Sequence, residues 1–323
     1  MPYLDVNGLR FHYQRVGAGD AADATVVMLH GMLVDNLSSL YYTTAPAVAD
    51  FADVLLYDLR GHGRTERPPS GYGLDQGVDD LLAMLDLQGI SRPVYLLGNS
   101  YGGTIGLATA QRYPERVAGL ILIEAHFSVE GWSEEFAKDL ELAGFGLDAE
   151  DMQRWLDAHA GRKINKLADQ ALSLVGQTSM IADLRGAPTL HADALRAIDC
   201  PTIAIYGEYS DVIDRAHDLE ALHPCCEMNI MLDCSHSALM EATITVRSLV
   251  RDWLIRRAAG EESTSRTTKV RVREGEGSGE EHRSTVEMYK AELRRRHALV
   301  AEAKAAGIRA VEARAVDADG GAG

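Results

Sequence analysis

Ser100 stands in the segment GNSYGG, residues 98–103, between the apolar run PVYLLG and the small-residue helical pattern TIGLATAQRYPE. Gly98, Ser100 and Gly102 form G-x-S-x-G at a strand-to-helix turn, the setting in which that spacing presents a serine as a nucleophile. The glycines have a steric reason, since bulkier neighbours would collide with backbone where the middle residue is held in a strained conformation. The competing reading is a helix N-cap, a position serine favours because its oxygen accepts an orphan N–H. A hydroxyl attacks a carbonyl only when a base takes its proton and a third group orients that base. His236, in IMLDCSHSALMEA, directly follows the last predicted strand of the alternating pattern, and Asp211, in IAIYGEYSDVID, follows the strand before it. The chain order Ser, Asp, His is the one expected for this nucleophile turn. Glu208 and Asp214 compete with Asp211, and Glu124 stands at the end of the preceding strand.

Attack on a carbonyl also needs two preorganised N–H donors for the developing oxyanion. The run VVMLHGML ends a strand and turns at Gly31, which would aim the amide of Met32 at the same point as the amide of Tyr101. On their own, His30 and Gly31 are explained by a plain strand-ending turn. The remaining histidines lack a late position at a strand end: His62 lies in a glycine-rich loop, His12 in a strand pattern, and His159, His191 and His217 on helical or loop stretches.

These groups need a scaffold, and the chain of 323 residues is long enough for one large domain with an added piece. From the start to about residue 126, apolar runs (LRFHYQRV, ATVVMLHG, DVLLYDLRG, PVYLLGNS, VAGLILIEA) alternate with helical patterns (SSLYYTTAPAVADF, LDQGVDDLLAMLDLQG, TIGLATAQRYPE). Continuous apolar strands alternating with helices predict an α/β fold with a mostly parallel sheet covered on both faces. Strand signals vanish over 127–197, which reads as a helical insertion, and return over 198–258. We therefore divide the chain into a core of residues 1–126 and 198–258, a helical cap at 127–197, and a tail at 259–323. The tail opens on GEESTSRTTKVRVREGEGSGEEHRS, whose charge and small polar residues read as linker or disorder. Its later stretch TVEMYKAELRRRHALVAEAKAAG carries Val286, Tyr289, Leu293 and Val300 near helical spacing, a partly helical segment that could pair with a partner or with itself.

Composition narrows the partners. A formal charge of −16 argues against nucleic acid, which demands a concentrated basic surface. The first residues have no leader pattern and no run reaches the length of a membrane span, so a cytoplasmic protein without membrane contact is expected. Cys200, Cys225, Cys226 and Cys234 have no paired CxxC spacing and read as reduced thiols.

Taken together, LHG (29–31), DLRGHGRTERP (58–68), GNSYGG (98–103), YPERVAGLILIEA (113–125), GEYSD (207–211) and CSHS (234–237) closely resemble the α/β-hydrolase superfamily, in its order, across about residues 9–258. The resemblance implies the α/β-hydrolase fold with a cap after the sixth strand and no metal or organic cofactor. It implies Ser100 as nucleophile, His236 as base, Asp211 as its partner, and the Met32 and Tyr101 amides as oxyanion donors. Arg60 and His62 fall in a loop that is structural in that superfamily. Asp211 follows its strand glycine one position later than in many members, and the tail matches nothing in the pattern.

The expected activity is serine hydrolysis of an ester, thioester or lactone of a small, largely apolar acyl substrate through an acyl-enzyme. His126, at a strand end facing the cap, and Phe127, Trp132, Phe136, Met152 and Trp155 are the candidates for the substrate pocket, although aromatic and Met residues at helical spacing more often fill a cap's own core. Asn99 gives a second reading, since it is similar to hydrolases that cleave carbon–carbon bonds in vinylogous diketones. Those enzymes usually place a bulky aromatic after the histidine, where Ser237 stands here, and a cap arginine, for which Arg154, Arg162 and Arg185 are available. Acyl transfer or ring closure on the same nucleophile, and a non-catalytic ligand-binding role on the same fold, are the further alternatives.

Overall fold

The computed structural model describes residues 2–17, 22–127, 162–188, 192–273 and 275–276, together with 133, 134, 137 and 190. Its spine is one nine-stranded sheet, ordered β1-β2-β4-β3-β5-β6-β7-β8-β9. The strands are β1 (Tyr3–Val6), β2 (Leu9–Gly17), β3 (Thr25–Leu29), β4 (Asp53–Tyr57), β5 (Val94–Asn99), β6 (Val117–Ile123), β7 (Thr202–Gly207), β8 (Cys226–Met231) and β9 (Arg266–Val270). β1 and β2 pair antiparallel, as do β2 and β4, and every later neighbour pairs parallel. The β1–β2 hairpin turns on Asn7 and Gly8, both at positive φ, which is the Asn-Gly signature of a two-residue hairpin. The strand reading began only at β2, and that dipeptide was the signal that would have added β1.

The helices are α1 (Leu37–Thr43), α2 (Ala45–Val48), α3 (Leu74–Leu87), α4 (Tyr101–Arg112), α5 (Arg162–Gln177), α6 (Met180–Arg185), α7 (Ala192–Arg196), α8 (Ile213–Leu222), α9 (Ala238–Glu241) and α10 (Thr243–Ala258). They form a layer on each side of the sheet, and the strand side chains alternate between the two. Leu55 and Tyr57 of β4 and Leu120 and Leu122 of β6 join the core under α3, α4, α6 and α8. Val54 and Leu56 of β4 and Ile121 and Ile123 of β6 join the other, under α1, α2 and α10, where Val246, Val250 and Trp253 are fully buried. Strands covered on both faces read as unbroken apolar runs for this reason. Among the described residues, no helix is long and apolar enough to cross a membrane.

One expectation needs correction. The linker assigned from residue 259 contains a strand, β9, which pairs with β8 from Glu227↔Arg266 to Met231↔Val270. Its side chains are exposed apart from Val270, so it carries no apolar alternation and local composition hides it. What holds it is distant. Arg266 Nη2 donates to Glu227 Oε2 at 2.6 Å, Leu232 N donates to Val270 O, and Val270 and Val272 pack on the second core. Just beyond, Glu276 accepts from the amides of Ile244 and Thr245 and from Thr245 Oγ1, capping the N-terminus of α10 from 31 residues away. The later helical pattern of the tail lies outside the described residues.

Candidate active site

Ser100 occupies the turn from β5 into α4 with φ +50 and ψ −118, a left-handed backbone for a non-glycine residue that costs about 1–3 kcal/mol. The packing around it compels this. A Cβ at Gly98 would lie 2.3 Å from the Gly103 nitrogen, and a Cβ at Gly102 would lie 2.2 Å from Leu29 O. The N-cap reading fails on geometry, because the Ser100 side chain makes no capping hydrogen bond. Its Oγ instead lies 3.2 Å from Nε2 of His236.

His236 is carried by the loop between β8 and α9. That loop is held to itself by Glu241, which accepts from Ser235 N and Ser235 Oγ, each at 2.7 Å. It is held to the end of β7 by Tyr209 N, which donates to Cys234 O. Gly207 lets the two segments touch, since a Cβ there would lie 2.3 Å from Ser235 O. On the far side of the ring, Nδ1 lies 3.0 Å from Asp211 Oδ1. A carboxylate only accepts, so this contact assigns the proton to Nδ1 and leaves Nε2 to accept from Ser100. Burial works against a charge on His236, but the Asp211 hydrogen bond and charge, with Glu124 and Glu241, outweigh it and leave the pKa above its usual value.

Gly102 sits against the backbone of Leu29 and His30, so the first turn of α4 and the turn after β3 meet beside Ser100. Met32 and Tyr101 line a small, mostly apolar pocket with Leu59, Tyr72, Ile105 and Met180. The Gly31 amide is taken by Asp35 Oδ2 at 2.7 Å, so it is not a donor for an oxyanion. Asp35 also accepts from Asn99 Nδ2 at 3.3 Å. Asp35 thus ties its own loop to the end of β5, a role that shows only once Asn99 is brought beside it.

His30 and His62 are braces. His30 Nε2 accepts from Leu59 N and His62 Nε2 accepts from Leu33 N, both at 2.9 Å, and burial pushes the His62 pKa down to about 3. They shape the loop that carries Met32.

Among the pocket candidates, the His126 ring lies 5.3 Å from that of His236, and burial lowers its pKa to about 3. Phe127 is fully buried, lies under the Arg215 guanidinium, and lines a separate pocket with Leu74, Thr104, Ala108, Pro188 and Leu190. Trp132 and Trp155 lie outside the described residues, as do Phe136 and Met152.

The site holds one further acid. Glu124, at the end of β6 with φ +51, is fully buried and accepts from Gly207 N and Ser210 Oγ, each at 2.6 Å. Its Oε2 lies 3.6 Å from His236 Nδ1. Burial, opposed by His236 and its hydrogen bonds, pushes its pKa up to about 8.

Comparison with known proteins agrees with this layout. A sequence profile of the alpha/beta hydrolase fold matches residues 24–243. The chain is 28% identical over 267 residues to the 2-hydroxymuconate semialdehyde hydrolase of Pseudomonas sp. strain CF600, covering 76% of this chain and 91% of that one. It is 34% identical over 124 residues to the cis-3-alkyl-4-alkyloxetan-2-one decarboxylase of Shewanella oneidensis, spanning 38% of this chain but only 37% of that protein. In structure it superimposes on the enol-lactonase of Burkholderia xenovorans LB400 with a TM-score of 0.63 at 24% identity, covering 79% of this chain and 100% of that one. The profile covers more than half of the sequence, and the chain belongs to the alpha/beta hydrolase fold family.

Proposed function

We propose that this protein is a serine hydrolase that cleaves a carboxylic ester, thioester or lactone of a small, largely apolar metabolite through an acyl-enzyme. The observation that carries the reading is the continuous relay from Ser100 Oγ to His236 Nε2, and from His236 Nδ1 to Asp211 Oδ1, at 3.2 and 3.0 Å. His236 takes the Ser100 proton as Oγ attacks the substrate carbonyl. The amides of Met32 and Tyr101 receive the oxyanion, and the N-terminus of α4 favours its charge. His236 then protonates the leaving group, and water activated by the same ring releases the acid. His126, beside His236, is the pocket candidate best placed to touch the substrate. The β8–α9 loop brings its histidine to the serine.

A second reading is carbon–carbon hydrolysis of vinylogous diketones. It is supported by Asn99 beside the nucleophile and by the 28% identity to a 2-hydroxymuconate semialdehyde hydrolase over most of both chains. Two observations favour the first reading. Ser237 stands where those enzymes usually have an aromatic, and the Asp35 carboxylate lies on the turn beside Ser100, unfavourable for an anionic substrate.

The experiment is burst and steady-state kinetics on p-nitrophenyl acyl esters of increasing chain length, alongside a vinylogous diketone and a serine-reactive phosphonate. Ester turnover that disappears in Ser100→Ala and His236→Ala supports the hydrolase. Turnover of the diketone alone supports the second reading. Phosphonate labelling without turnover turns attention to acyl transfer, and absence of labelling in folded protein favours a binding role.

A further inference from the structure

Three oxygens face Nδ1 of His236. Asp211 Oδ1 lies at 3.0 Å, Ser210 Oγ at 3.4 Å and Glu124 Oε2 at 3.6 Å. The two carboxyls differ in setting. Asp211 stands on the loop after β7 with a third of its side chain exposed, whereas the Glu124 side chain is fully buried. Glu124 is also held at two points, by the Gly207 amide and the Ser210 hydroxyl, on a strand end that adopts a left-handed φ.

Such a group is costly to keep. Packing does not require it, because a glutamine of the same shape offers a carbonyl to Gly207 and an amide to Ser210. What a glutamine lacks is the ability to become negative beside the imidazole. The Ser210 hydroxyl, bonded to Glu124 and within reach of Nδ1, links the two groups.

We propose that Glu124 is a second positioning acid for His236, acting directly and through Ser210, so that the carboxylate function behind the imidazole is shared between Glu124 and Asp211. The two acids, both within 3.6 Å of one nitrogen, do not ionise independently. While Asp211 is charged, its field and the burial of Glu124 favour the neutral form of Glu124. When Asp211 loses its charge, its part of that opposition is removed, and Glu124 becomes the carboxyl left to ionise against the imidazolium. The inference rests on the reading of His236 as the base.

The test follows the His236 ring itself by 15N NMR titration in the full chain, comparing the parent, Glu124→Gln, Asp211→Asn and the double variant. The other groups facing the ring, Ser100 just before α4, His126 just after β6 and Glu241 at the end of α9, are unchanged throughout. Asp211→Asn is expected to leave His236 titrating near or above its ordinary pH, with the double variant titrating more than one pH unit lower. Equal midpoints in Asp211→Asn and the double variant would overturn the proposal. Should Glu124→Gln fold poorly, Ser210→Ala in the Asp211→Asn background serves instead. It is expected to lower the midpoint, and no change there overturns the Ser210 link. The phosphonate labelling rate of Ser100 gives the functional counterpart: a loss of less than about 100-fold in Asp211→Asn, and at least a further 10-fold in the double variant, against the roughly 10⁴-fold loss when a lone triad aspartate is neutralised. Titrations that behave as described in a parent that is never labelled would sink the hydrolase reading while leaving the paired acids in place.

Discussion

Ser100 Oγ and His236 Nε2 lie 3.2 Å apart although 136 positions separate them in the chain. Their loops leave the ends of β5 and β8, and the contact is made across the carboxyl edge of a parallel sheet, where such folds gather their reactive groups.

In the proposed relay the two residues act as one unit, so their losses are expected not to add. Ser100→Ala and His236→Ala are each expected to reduce kcat for a turned-over ester by about 10⁴-fold or more, and the double variant by scarcely more than either. Steady-state kinetics on the three variants checks this. A double variant whose loss equals the product of the single losses would mean that the groups work separately.

The pH profile follows from the charge around His236. Only the neutral ring takes the Ser100 proton, so kcat/KM rises with pH through the histidine pKa. That pKa lies above the ordinary 6.5: burial lowers it, and the hydrogen bond and charge of Asp211, with Glu124 and Glu241, raise it by more. The acid limb measured on an ester substrate is therefore expected above pH 6.5. A limb near 5 would contradict the arrangement.

Glu124 makes a stability prediction of opposite sense to the usual carboxylate. Its folded pKa of about 8 lies above the ordinary glutamate value of 4.5, so between those values the folded protein holds a proton that the unfolded chain has released. Stability attributable to this group falls as pH rises through that window. Glu124→Gln has no such proton to lose. Its melting temperature should gain on that of the parent steadily from pH 5 to pH 8, and a constant difference would refute the assignment.

The ninth strand and the residues just after it are expected to stabilise the core. Glu276→Ala removes a carboxylate from the first turn of α10 and should cost about 1 kcal/mol. Glu227→Gln would loosen a cluster in which Arg256 and Arg266 converge on one largely buried carboxylate, and should cost more than Glu276→Ala. Urea denaturation of the full chain measures both, and no change in either would assign β9 a passive place at the edge.

The sequence by itself determined the strand-to-helix turn that carries Ser100, the chain order of Ser100, Asp211 and His236, and the layered α/β architecture. Each is written locally: G-x-S-x-G encodes its own steric demand, and strands buried on both faces must be apolar throughout, as TVVML, DVLLY and VAGLILI are. Tertiary structure alone decided the rest. β9 is exposed and owes its existence to backbone pairing with β8 and to an arginine meeting a distant glutamate, neither of which leaves an apolar period. Asp35 and Ser210 each acquire a partner from another strand end, Asn99 and Glu124. Glu124 was visible as an acid at a strand end, yet its distance to His236 depends on how three neighbouring strands finish. Hydrophobic periodicity records which face of an element is buried, whereas a polar contact between loops depends on the register and length of every strand that brings those loops together.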